Sequence, residues 1–210
     1  MRTTGRLVGT SLILAAITAC AGATSGPARA PVAPAAGTVG PRHSAADVAF
    51  MTGMIGHHAQ AILMAGWAPS HGASPAVQAL CERILVGQRD EIALMQRWLR
   101  EWQQPVPEAD AAHDMMPGME HMLMPGMLTA DQLRQLNQAT GAEFDRLFLT
   151  FMIRHHQGAL AMVKQLVETP GAARDDIVFK FVSDMNVDQT TEINRMNLML
   201  AGIPLGSTSP

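Results

Sequence analysis

The sequence predicts an all-α protein, a four-helix bundle built from two repeated helical hairpins. Three observations predict it. The segment "DVAFMTGMIGHHAQAILMA" from Asp47 and the segment "DRLFLTFMIRHHQGALAMV" from Asp145 stay in register throughout, with Asp, Phe, Thr, Met, Ile, His-His, Ala and Met recurring. A second pair, "QRDEIALMQRWL" from Gln88 and "QTTEINRMNLML" from Gln189, repeats Gln, Glu, Ile, Met and Leu. Composition agrees: there are 16 Met, no Tyr and 4% aromatic residues, and no long β-branched run suggests a strand. Each half of the chain carries one copy of each segment, and so reads as an αα-hairpin that buries one face. Two such hairpins close into a bundle with internal pseudo-symmetry. Two copies are too few for a solenoid. The 210 residues are enough for one domain with a sizeable core.

In chain order, residues 1–19 read as a signal peptide and stand outside the fold. Arg2 and Arg6 form a positive start, and the apolar stretch Leu7 to Ala19 is too short to span a bilayer. It ends in "ITAC", which resembles a bacterial lipobox in which the chain is cut before Cys20 and that cysteine is lipid-modified. The alternative is a plain secretory signal cut after "ARA" at Ala30. Either way the protein is exported. The lipobox reading places it in the cell envelope, lipid-anchored to the outer face of a bacterial membrane, periplasmic or extracellular. Loss of the two Arg takes the formal charge from -3 to about -5. That balance offers no basic face for nucleic acid. With Cys20 acylated, Cys81 has no disulfide partner and reads as a small buried apolar residue.

Residues 20–43 are rich in Ala, Gly, Pro, Ser and Thr and read as a flexible tether. The bundle is expected over 44–204. Its first repeat covers about 44–102. Ser44 and Asp47 form a capping pattern that starts a helix over about 45–66. "APSHGASP" breaks it, with His71 expected to be exposed in this turn. Ser74 and Pro75 suit the N-cap and first position of a helix over about 75–102. Residues 103–128 carry Pro, Gly, His and Met without steady period and read as a loop. In the second repeat, about 129–203, Thr129 and Gln132 make another capping box. A helix follows over about 130–168, with Gly141 as a point of interruption, and "TPGAA" ends it. The last helix is expected over about 173–201.

Helical periodicity places Phe50, Met54, His57, His58, Ala61 and Met64 on one stripe. Phe148, Met152, His155, His156, Ala159 and Met162 form its copy. The histidine pairs therefore lie on the apolar faces that pseudo-symmetry turns towards each other. Glu91 and Glu192 lie on the matching stripes of the other two helices. A buried carboxylate needs a partner, and the facing histidines supply one. Two readings follow: a polar structural core, or a metal centre whose histidines the glutamates orient as outer partners.

Imidazole with thioether suits Cu(I), and by extension Ag(I), better than Mg, Ca or Mn. A di-iron site needs about four carboxylates and Glu-x-x-His pairs. Neither Glu91 nor Glu192 has a His three residues later. Asp47 and Asp145 lie roughly 16 Å along their helices from His58 and His156, and capping does not readily explain Asp145. Zinc leaves the methionines unexplained. A second signal is "HDMMPGMEHMLMPGM", which sets His113, Met115, Met116, Met119, His121, Met122, Met124 and Met127 close together. A thioether-rich loop can wrap Cu(I) and stays uncharged as pH changes; its other reading is an apolar lid over the bundle. No Gly-rich phosphate loop, Gly-x-Ser-x-Gly or Cys-x-x-Cys is present, so an enzyme is not expected.

The paired "MI-x-HH" and "Q-x-x-EI-x-x-M" segments, with the run "GMLTADQLRQLNQATGAEFDRLFLTFMIRHHQGALAM", resemble the bacterial family called domain of unknown function 305 over about residues 44–203. The resemblance implies a ferritin-like four-helix bundle in exported or membrane-attached proteins, some of which are associated with periplasmic copper and silver binding through Met and His. By position it carries over to Met54, His57, His58, Met64, Met152, His155, His156 and Met162. The expectation is thus an exported metal-binding lipoprotein that buffers or carries Cu(I) or Ag(I). Its partners are the metal ion and, through the lipid, a membrane; the sequence identifies no protein partner. The alternative is a structural or interaction lipoprotein with no metal.

Overall fold

The computed structural model describes residues 43–109 and 123–203. The signal segment, Cys20, the tether and His113, Met115, Met116, Met119, His121 and Met122 lie outside these described residues. Among the described residues there are five helices and no strand: α1 (Ala45–Gly66), α2 (Pro75–Glu101), α3 (Ala130–Gln138), α4 (Gly141–Glu168) and α5 (Asp176–Ala201). The four long helices are the expected ones, with the third divided.

Each start has a local cause. Ser44 and Asp47 exchange side-chain and backbone bonds in a capping box, as do Thr129 and Gln132. The Ser74 hydroxyl accepts from the Val77 amide, and Pro75 fills the first turn of α2. Asp175 caps α5 by accepting from the Ile177 and Val178 amides, so α5 begins three residues later than the sequence suggests. The division between α3 and α4 comes from Ala139 and Thr140 in extended conformation, followed by Gly141 at φ 57°.

The helices pack α1 on α2 and α4 on α5, and α1 against α4 joins the two hairpins. A cleft separates α2 from α5. The short α3 rests on α4 and α1.

Two apolar clusters form the core. One gathers Ala61, Met64, Leu80, Ile84, Phe144, Phe148 and Met152. The other gathers Phe50, Met54, Ile55, Met95, Trp98, Val182 and Met185. Antiparallel packing brings the polar stretch 57–60 of α1 level with 88–91 of α2, 155–156 of α4 and 189–192 of α5. A polar layer therefore divides the core in the middle, and it contains both repeated motifs.

Two aspartates join the hairpins crosswise. Asp145 of α4 accepts the Ser74 amide, 3.2 Å from each carboxylate oxygen, in the connection between α1 and α2. Asp47 of α1 accepts the Ala173 amide at 2.7 Å in the connection between α4 and α5. This explains why Asp recurs in the repeat: each copy holds the turn of the other hairpin. His71 departs from expectation too. It is part-buried, with Nδ1 2.8 Å from the Trp67 carbonyl and Nε2 2.9 Å from the Asn137 carbonyl. These contacts tie the first connection to the end of α3.

Candidate metal centre

His57, His58, His155 and His156 are all buried, none more than 1% exposed. Adjacent residues on a helix lie about 100° apart, so each pair splits around its stripe. His57 and His155 point at each other, with ring centroids 3.9 Å apart. His58 and His156 turn outward toward α2 and α5. Their Nε2 atoms stand 2.7 Å from Glu91 Oε2 and from Glu192 Oε2 respectively. The two contacts differ in alignment: His156 makes a hydrogen bond to Glu192, whereas His58 Nε2 faces Glu91 at an angle that makes none. The structure thus brings together the His–Glu pairs that the stripes predict.

Burial sets the protonation of the inner pair. It pushes the His57 imidazole down from 6.5 to about 3, against the opposing pull of its bond to the Pro125 carbonyl. Burial, and after it the neighbouring His57 ring, holds His155 well below 6.5. Both rings are therefore neutral at physiological pH. His57 Nε2–H donates to the Pro125 carbonyl at 2.9 Å, which leaves Nδ1 as the bare lone pair. Nδ1 of His57, His58 and His156 and Nε2 of His155 are buried with no hydrogen-bond partner. Such atoms are costly unless something accepts their lone pairs.

The stretch 124–128 docks on this layer. Gln60 clamps Leu128 from both sides, its Nε2 donating to the Leu128 carbonyl at 3.1 Å and its Oε1 accepting the Leu128 amide at 2.7 Å. Pro125 and Gly126 lie directly on α4 at Gly158, where an added Cβ would stand 1.9 Å from the Pro125 oxygen. Gly126 is at φ 83°, and its own Cβ would stand 2.6 Å from the Arg154 carbonyl. On α1, a Cβ at Gly53 would be 3.0 Å from the Met124 sulfur. The end of the Met-rich stretch is therefore fixed beside the histidines. The clue to this was present in the sequence: Gly53, Gly56 and Gln60 align with Phe151, Arg154 and Gly158, so the copies differ where the strap lies.

The remaining candidates spread out. Met54 and Met152 are fully buried, each one turn before a His pair, at the edges of opposite clusters. Met64 is six residues beyond His58, about 9 Å along α1, inside the first cluster. Met162 is partly buried at the edge of the second. Met127 is buried at the strap. Cys81 is buried and its thiol is pushed up to about 12, chiefly by burial and next by Asp145. It stays protonated and is a poor ligand, which agrees with its reading as an apolar core residue. Among the described residues, no three His, Cys, Asp or Glu side chains close on one point. The ligands the layer offers beside imidazole are the sulfurs of the buried methionines that border it.

A family model described as domain of unknown function DUF305 matches residues 47–200. No curated protein matches the chain. Among solved structures, a DUF305 protein from Streptomyces coelicolor described as secreted is 28% identical, with TM-score 0.64, covering 77% of this chain and 97% of its own. A DUF305 fragment from Deinococcus radiodurans is 29% identical, with TM-score 0.65, covering 77% of this chain and 99% of its own. CopM in its Cu(II)-bound form is 31% identical, with TM-score 0.59, covering 74% of this chain and 95% of its own. CopM is also solved in Cu(I)-bound and silver-bound forms. With the family model matched over most of its length, the chain belongs to the DUF305 family.

Proposed function

We propose that this protein binds Cu(I) or Ag(I) as cargo, buffering or carrying the ion outside the cytoplasm rather than catalysing a reaction. One observation carries the reading: four buried histidines leave four ring nitrogens with no partner, in a layer bordered by buried methionines. Neutral imidazole and thioether are soft-to-borderline donors, matched to Cu(I) and Ag(I). The Cu(I)- and silver-bound forms of CopM support the same cargo. Glu91 and Glu192 would orient His58 and His156 from behind. The docked strap supports a single centre shared by loop and bundle, with Met124 as the link. Met64 and Met162 would serve less directly, being further from the layer. Cys20 would carry the lipid that holds the protein at the outer face of a membrane.

The test is an oxygen-free Cu(I) titration of the full-length protein against a chromophoric chelator, repeated with Ag(I). The parent is expected to withdraw copper from the chelator. Replacing His57, His58, His155 and His156 by Ala should cost at least 100-fold in affinity, and Met124→Leu about tenfold, on the scale of one lost ligand. A parent unable to compete with a weak chelator would make the histidines architecture and the protein a structural lipoprotein.

A further inference from the structure

The cleft between α2 and α5 has chemistry of its own. It is about 210 Å³ and half-open, and its lining includes Gln88, Glu91, Asp188, Gln189 and Glu192. Gln88 and Gln189 are 4% and 3% exposed, and in both the side-chain oxygen Oε1 is buried with no hydrogen-bond partner. They occupy equivalent positions in the two repeats, one helical turn before Glu91 and Glu192. The copies thus bring to one cleft two carboxylates and two glutamines whose buried amide oxygens lack a hydrogen-bond partner. A buried amide oxygen is stable only with a donor or a cation beside it, and here that need occurs twice at symmetric places.

The charge around these oxygens is negative. Among the described residues, Arg83 is the only basic one lining the cleft, against three carboxylates. Asp188 is exposed and has no ion pair with a basic side chain among the described residues. Partial desolvation by the cleft wall, and then the fields of Glu91, Asp184 and Glu192, hold its carboxyl above the ordinary value. Crowded carboxylates beside unpartnered amide oxygens are an all-oxygen donor set, the opposite of the thioether–imidazole layer behind it.

We propose that this cleft binds a hydrated hard divalent cation through Gln88 Oε1, Gln189 Oε1 and the carboxylates of Glu91, Glu192 and Asp188. The ion keeps part of its water shell, since no three acidic or histidine side chains close on one point among the described residues and the cleft has room for several waters. Glu91 and Glu192 each turn one oxygen toward a histidine, which leaves the other for the ion or its waters. The site shares these glutamates with the copper reading but does not rest on it.

Mn²⁺ alone is the probe, because its six-line paramagnetic resonance disappears on binding. The full-length protein in mild detergent is expected to bind one Mn²⁺. Gln88→Leu with Gln189→Leu, and separately Asp188→Asn, should each weaken binding at least tenfold. Asp90→Asn, which removes a nearby charge outside the donor set, should weaken it less than threefold. Asp188 is exposed, so its variant keeps the test readable if the double glutamine variant does not fold. Two results overturn the site: no Mn²⁺ bound up to millimolar concentration, or a loss in Asp90→Asn equal to that in Asp188→Asn, which marks a diffuse acidic surface. Ag(I) binding measured on the same samples separates this outcome from failure of the copper reading.

Discussion

His57 shows what one buried residue does to the whole protein's response to acid. Its folded pKa is about 3, against 6.5 when exposed. Between those two values the unfolded chain binds a proton that the folded chain refuses, so stability rises with pH across that window. The contribution is complete above about 6.5, and is lost as pH falls toward about 3. For one residue it is on the order of a few kcal/mol, and His155 shifts in the same direction. Urea unfolding of the metal-free protein from pH 7 to pH 4 should show this loss. His57→Phe keeps a ring in the layer and gives up the bond to Pro125, about 1 kcal/mol. It should flatten the slope of stability against pH, although it starts from lower stability at pH 7. An unchanged slope would place the acid sensitivity elsewhere. An ion bound as proposed would meet a neutral His57 ring until the pH approaches about 3.

At the scale of elements, the strap 124–128 is where the two copies stop being equivalent. Gln60 and Gly158 occupy the same register, one to clamp the strap and the other to make room for it. Gly158→Ala puts a methyl group where the Pro125 carbonyl lies, and backbone cannot yield as a side-chain end can. The strap should lift, with amide exchange at Met127 and Leu128 at least tenfold faster and stability lower by about 1–3 kcal/mol. Unchanged exchange would mean the strap is held by Gln60 and His57 alone. This contact also shows what was and was not legible in the sequence. Helix starts were legible because a capping box is local chemistry between residues three apart, and Ser44, Ser74 and Thr129 all cap as expected. The buried histidine stripes and their glutamate partners were legible because periodicity and repetition specify faces. The strap was not, because a glycine that admits another backbone looks like any helical glycine until the copies are aligned. The start of α4 at Gly141 was visible as a weak point, yet the extended Ala139 and Thr140 depend on the tie between His71 and the end of α3.

For the molecule as a whole, the question is whether two hairpins fold as one unit. Each hairpin's connection is held by an aspartate from the other: Asp145 at Ser74 and Asp47 at Ala173. Ala173 is held at φ 53°, a conformation that non-glycine residues rarely adopt, so the bond from Asp47 stabilises a strained turn as well as filling a donor. Neither hairpin can open its turn without breaking a bond to a buried aspartate of its neighbour, which predicts a single cooperative transition. All three tryptophans, Trp67, Trp98 and Trp102, belong to the first hairpin. Their fluorescence therefore follows that half, while far-ultraviolet circular dichroism follows both. The two signals should coincide through urea unfolding of the parent. Asp145→Ala should move both together by about 1–3 kcal/mol, the scale of a lost hydrogen bond to a charged group. Asp47→Ala should cost somewhat more, since it also removes half of the capping box. The two aspartates hold opposite ends of the bundle, so the double variant should lose the sum of the two to within about 0.5 kcal/mol. Fluorescence and circular dichroism that separate already in the parent would show the hairpins unfolding independently. The recurring aspartates would then be local fasteners, and the α1–α4 interface alone would have to align the histidine layer.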